Sequence, residues 1–179
     1  MKKLFLSIAF LFNIVFAQTL NDIIASDHRS EKNKARDKYR HPIETLNFFG
    51  IKNNMTVVEL NPGGGWYQEI LAPYLKNNGK YVSATYSPDS KSDYRRNSYK
   101  AEMKRLKGNK KLYGNPQIVL LDGSVYGKEE SADMVLSFRN YHNWVGGTEF
   151  EKLRAVYKTL KPGGVFGITD HRSSSTMDE

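Results

Sequence analysis

Glu59 closes an apolar run, TVVEL. Asn61-Pro62 and three glycines, Gly63 to Gly65, follow at once, and a helix-like pattern opens at Trp66. A strand–glycine turn–helix junction aims unpaired backbone N–H groups at a polar ligand, and glycines let the backbone come close to it. A dinucleotide loop reads G-x-G-x-x-G. Gly63 and Gly65 supply its first two glycines, but the third position falls on Gln68. A phosphate loop ends in Gly-Lys-Ser/Thr, which the sequence lacks. What remains is an acidic strand end, Glu59, ahead of a turn built from Asn61, Gly63 and Gly65.

Other groups with chemistry sit further along. His142 and His171 lie just past two apolar runs, and parallel α/β sheets bind ligands beyond the carboxyl ends of their strands. Either could act as a general base, and Tyr141 stands beside the first. The commoner role for such histidines is hydrogen bonding to loop backbone. Tyr39, His41, Arg139, Asn140, Asp170 and Arg172 accompany them. His41, His142, His171 and Asp170 are metal-ligand types, but no short-range spacing such as H-x-x-x-H joins them, so no metal is expected. The chain has no cysteine, which excludes disulfides, a thiolate nucleophile and cysteine metal sites. No G-x-S-x-G is present for a serine hydrolase.

These groups need elements to hold them. His41-Pro42 opens a helix, proline being favoured at the first helical position, and Gly50 ends it. Residues 55–60, 80–86, 117–121, 132–138 and 165–169 read as five strands. Helices are expected over 66–76, with a kink or early end at Pro73, and over 148–160. Lys161-Pro162-Gly163-Gly164 reads as the turn into the fifth strand. Strands alternating with helices through short connections imply a parallel α/β sheet covered on both faces.

Four segments occur in a telling order: VELNPGGGWY, VLLDGS, SADMVLSFRNYHNW and LRAVYKTLKPGGVFGITD. Together they resemble class I S-adenosylmethionine-dependent methyltransferases over residues 43–172. RHPIETL, NPGGGWY, FRNYHNW and TDHR, with the N-terminal leader, are similar to a group of secreted methyltransferase-like proteins. The resemblance implies a Rossmann-like sheet with helices on both faces and strand order 3-2-1-4-5, and S-adenosylmethionine as cofactor. It implies that Glu59 lies near the sulfonium and amino group, where a carboxylate stabilises positive charge at short range. Gly63 and Gly65 would admit the methionine part, and Asp122 would contact the adenine. Arg139 and Asn140 would line the cofactor's reacting end, with Tyr141, His142 and His171 as candidate catalytic groups. Trp66 and Trp144 are candidates to stack on an adenine or acceptor. The acceptor implied is a small molecule.

The sequence departs from the family pattern in three places. Thr85 stands where an acid would hold both ribose hydroxyls. Asn61 replaces the first glycine, a tolerable change because asparagine adopts left-handed backbone more readily than most residues. The chain stops just after the fifth strand, without the last two strands, and that strand is expected to be an open edge. The loss at Thr85 keeps a second reading open: a non-catalytic periplasmic ligand-binding domain of the same fold.

Of the 179 residues, 39% are hydrophobic, enough for one domain with a real core. Lys2, Lys3, the apolar run 4–17 and Val15-Phe16-Ala17 before Gln18 read as a Sec-type signal peptide, 1–17, which implies a periplasmic or secreted protein. Residues 18–41 form a charged segment expected as a short helix and loop ahead of the core, and 42–179 form the α/β domain. Net charge is +8 overall and +6 without the leader, whose two lysines account for the difference. Between 89 and 111 nine Lys or Arg face three Asp or Glu, a segment that would suit weak contact with an anionic membrane surface but more commonly is a solvated face. No nucleic-acid module is recognisable, and no nucleic-acid partner is expected.

Overall fold

The computed structural model describes residues 18–172; the leader expected over 1–17 lies outside them. Five strands make one parallel sheet: β1 (Thr56–Leu60), β2 (Lys80–Thr85), β3 (Gln117–Leu120), β4 (Ala132–Phe138) and β5 (Leu160–Thr169), in the order β3-β2-β1-β4-β5. This is the α/β Rossmann-like order expected from the sequence. Among the described residues no helix is long and apolar enough to cross a membrane.

Side-chain alternation along β1 divides the interior. Val57 belongs to one apolar cluster, with Leu46, Ile70, Leu71, Met134 and Leu136. Val58 and Leu60 belong to the other, with Val82, Val135, Ala155 and Val156. The first cluster lies under α4 (Pro42–Phe48) and α5 (Gln68–Leu75), with Leu106 of α6 (Asp93–Gly108) and Tyr113 of α7 (Lys110–Tyr113). The second lies under α8 (Glu149–Thr159). Glu59 shares the face of Val57 by period, so its carboxylate is delivered into the first layer. Thr85 shares the face of Tyr81 and Ser83 on β2 and is equally buried.

Three local expectations change. Pro73 does not end α5, which runs on to Leu75. Proline leaves the carbonyl four residues earlier without its donor, and His28 fills the gap, its Nε2 2.8 Å from the Glu69 carbonyl. The Lys161–Gly164 turn lies inside β5. Leu160 pairs with Ala132 and Val165 with Met134, so the intervening residues bulge out of the ladder. Charge anchors this bulge, since Lys161 Nζ reaches Asp133 at 2.6 Å.

The third change concerns residues 18–41, which do not stand ahead of the core. They form α1 (Leu20–Ala25), α2 (Glu31–Lys34) and α3 (Asp37–Arg40). Thr19 and Asp22 cap α1 reciprocally, and Leu20 and Ile23 enter the first cluster. Arg29, 1% exposed, then locks the segment down. Its guanidinium grips both oxygens of Asp37, at 2.6 and 2.8 Å, and donates to Glu69 of α5 at 2.9 Å and to the Ile24 carbonyl at 2.9 Å. Truncating one member of a buried, hydrogen-bonded charge set strands the others. Arg29→Ala is therefore expected to destabilise the fold by about 3–5 kcal/mol, and Arg29→Lys recovers little because an ammonium cannot reproduce the fork. Urea denaturation checks this through the midpoint; a loss under about 1 kcal/mol would show that the segment is only loosely held.

Candidate functional site

The carboxyl ends of β1, β2 and β4 converge on Asn61. Its φ of 52° is left-handed, which asparagine adopts more readily than most residues. The Asn61 N–H donates to the Ala84 carbonyl at 2.7 Å. Its side-chain amide donates to Tyr86 Oη at 3.0 Å and to Asn140 Oδ1 at 2.8 Å, and the Asn140 amide returns a bond to the Asn61 carbonyl at 3.2 Å. A glycine at this position could supply the backbone angle and none of the side-chain ties.

Two cavities open on either side of this joint. The first, about 320 Å³, is lined by Tyr86, Ser87, Asp89, Arg95, Leu121, Asp122, Trp144 and Lys152. The second, about 400 Å³, is lined by Glu59, Asn61, Gly63, Gly64, Trp66, Tyr67, Phe138, Arg139 and Asn140. Lys32, Arg36 and Arg40 of the N-terminal segment complete its wall. Tyr86, bonded to Asn61, faces the first cavity, so one hydrogen-bonded pair separates the two.

Glu59 forms the floor of the second cavity and is only 3% exposed. Tyr81 Oη donates to it at 2.6 Å. Gln68 Nε2 contacts Tyr81 Oη at 3.2 Å and Glu102 at 2.8 Å, and Ser83 also bonds Glu102. Burial pushes the Glu59 carboxyl up to about 8. The Tyr81 bond and the charge of Arg105 oppose that rise, and Glu102 adds to it. Arg105 reaches across from α6, its Nε donating to Gln68 at 2.8 Å and its Nη2 to the Gly63 carbonyl at 3.2 Å. It also explains Gly65, where a Cβ would lie 2.5 Å from the Arg105 guanidinium carbon. Gly65 lines neither cavity; its glycine requirement comes from Arg105 and a φ of 82°.

Of the residues singled out in the sequence, Glu59, Asn61, Gly63, Arg139 and Asn140 reach the second cavity and Asp122 the first. Thr85 reaches neither: it is 1% exposed on the inner face of β2, and the residues presented to the first cavity are Tyr86 and Ser87. Tyr141, His142 and His171 also line neither cavity. The Tyr141 hydroxyl is held by Glu149. His142 Nδ1 lies 2.7 Å from Asp170, and His171 Nε2 lies 3.1 Å from the Arg139 guanidinium. Desolvation alone would raise the Asp170 carboxyl, but bonds from the His142 and His171 backbone and the His142 ring bring it below the usual range. His142, Asp170 and His171 thus form a cluster with ligand-type atoms within 4.8 Å of one another. Sequence spacing hid it because its members come from the ends of two paired strands. Sequence reasoning also missed Asp89, Arg95 and Lys152 as lining residues, and the cavity role of Lys32, Arg36 and Arg40. The density of charge over 28–40 was the available signal for those last three.

No family model matches the chain, and none of the curated proteins compared does. Solved structures do. A SAM-dependent methyltransferase from Aquifex aeolicus superposes with a TM-score of 0.63 at 17% identity, over 81% of this chain and 71% of that one. The arsenic(III) S-adenosylmethionine methyltransferase of Chlamydomonas reinhardtii gives 0.51 at 18%, over 84% and 48%. A glycopeptide N-methyltransferase solved with sinefungin gives 0.51 at 20%, over 70% and 50%. The chain spans about half the length of the last two. The fold is that of the class I S-adenosylmethionine-dependent methyltransferases.

The raised carboxyl has a consequence for stability. Native Glu59 keeps a proton that the unfolded chain releases near 4.5, so its contribution is full below pH 4.5 and is lost as pH rises through about 8. Glu59→Gln removes that loss. It is expected to raise the melting temperature at pH 8 relative to pH 5, by an amount on the order of a few kcal/mol when expressed as stability. Equal shifts at both pH values would mean that Glu59 is ionised in the folded protein.

Proposed function

We propose that the protein binds S-adenosylmethionine across the two cavities and transfers its methyl group to a small acceptor. The observation that carries this is Glu59: a buried carboxyl group at a cavity floor, with no cationic side chain bonded to it among the described residues. The Glu59 end of the cavity fits a group that brings positive charge of its own, while Lys32, Arg36, Arg40 and Arg139 make the rest of the wall cationic. Asp122 takes the adenine amine in the first cavity, against the rings of Tyr86 and Trp144. Asp89, in the loop after β2, supplies the ribose-facing carboxylate that Thr85 does not. Glu59 faces the sulfonium and amino group in the second cavity, and Asn61 and Asn140 hold the passage between. Bound there, the cofactor would supply an electrophilic methyl group to an acceptor lone pair, with the C–S bonding pair left on sulfur and any acceptor proton passing to water. The protein's work is mainly in-line positioning, for which no base is required.

A second reading, a ligand-binding domain without transfer, is favoured for any acceptor that needs a base, because Tyr141, His142 and His171 line neither cavity. In either reading residues 1–17 act as a signal peptide and the mature protein works outside the cytoplasm.

Calorimetric titration of the leader-free protein tests the proposal. Because Glu59 must lose its proton to meet a sulfonium, the affinity is expected to rise about tenfold per pH unit from pH 6 and to level off near pH 8. Glu59→Gln should flatten that slope, and Asp122→Ala should weaken binding moderately without altering it. Absence of binding by a folded protein at every pH would overturn both the cofactor assignment and the enzyme reading. Binding without turnover of any offered acceptor would favour the second reading.

A further inference from the structure

We propose that the methyl acceptor is a small molecule bearing a carboxylate or phosphate group, held by Arg36, Arg40 and Arg139 in the second cavity. This rests on the methyltransferase reading and specifies its substrate class. Four cationic side chains line that cavity, Lys32, Arg36, Arg40 and Arg139, against one carboxylate, Glu59. Arg29, in the same segment, has two carboxylate partners. Arg36, Arg40 and Arg139 form no ion pair among the described residues.

Their placement is built. Arg40 lies over the Trp66 ring, 4.7 Å from its centroid, and the indole is fixed by its N–H to the Asn33 carbonyl at 2.9 Å. That stacking sets the plane of the guanidinium and leaves its edge donors free. Arg139 occupies a left-handed conformation, φ 57°, at the end of β4, with its N–H bonded to the Thr169 carbonyl at 2.8 Å. A non-glycine residue held there carries strain of a kind that clusters at ligand sites. Burial first, and then the charges of Arg36 and Arg139, lower the pKa of Arg40, so Arg40 feels both neighbouring guanidiniums. An oxyanion among them relieves that repulsion and accepts paired N–H bonds.

Charge balance points to the acceptor as its source. The methionine end of the cofactor carries one carboxylate, one ammonium and one sulfonium, so it adds positive charge to a cavity already rich in it. Its carboxylate can use one guanidinium. The remaining excess favours a second anion, and cofactor and anion should then strengthen each other's binding.

The test titrates S-adenosylmethionine into the leader-free protein with sodium phosphate, sodium acetate or sodium chloride at matched ionic strength. Phosphate or acetate is expected to tighten cofactor binding at least threefold over chloride, and the stronger of the two names the acceptor group. Arg40→Gln with Arg139→Gln should abolish the difference between anions, and Arg40→Lys should leave part of it. Cofactor affinity that is identical in all three salts overturns the proposal and leaves the methyltransferase reading standing. Competition by phosphate or acetate also overturns it, because the arginines would then serve the cofactor's own carboxylate. A folded protein that binds no cofactor in any salt removes both.

Discussion

The amide of Asn61 bonds the Tyr86 hydroxyl on one side and the Asn140 side chain on the other, while its backbone N–H takes the Ala84 carbonyl. Through these bonds the carboxyl ends of β1, β2 and β4 are held in one arrangement, and both cavities are defined on either side of it. In a parallel sheet the strand ends are where the loops diverge, so a binding cleft there needs some tie across them. Asn61 provides that tie here, with backbone strain offset by side-chain hydrogen bonds.

Two buried charge systems support the cleft from below. Glu59, Tyr81, Gln68, Glu102 and Ser83 form a connected polar layer between sheet and helices, and Arg105 closes it against the glycine turn. Such networks are stable when fully satisfied and fragile when one member is removed. Arg29 does the same for the N-terminal segment, joining α3 to α5 through Asp37 and Glu69. Asn33, bonded to Glu69 and to the Trp66 indole, carries that rigidity to the cavity wall. The wall that presents Arg36 and Arg40 is therefore positioned by the core.

The sheet was legible in the sequence because its strands are apolar runs separated by glycine and proline turns. The boundaries of β4 match those expected, and Glu59, Asn61, Gly63 and Asp122, singled out at or just past strand ends, line the two cavities. What was hidden depends on contacts between distant segments. Pro73 looked like a helix break because His28, far away in the chain, could not be seen to satisfy the Glu69 carbonyl. Lys161–Gly164 looked like a turn because a bulge inside a strand has the same composition. Residues 18–41 looked like a short helix and loop ahead of the core because Arg29 meets Glu69 only in three dimensions. His142 and His171 were placed correctly past strand ends, but Asp170 and Arg139 draw them aside.

In the proposed complex one ligand lies across Asn61, with its base beside Asp122 and its sulfur beside Glu59. A crystal structure of the protein grown with S-adenosylhomocysteine tests this directly. The adenine is expected between Tyr86 and Trp144 and the thioether over the Glu59 carboxyl group. A ligand bound elsewhere, or a cleft left empty at saturating ligand, would contradict this placement.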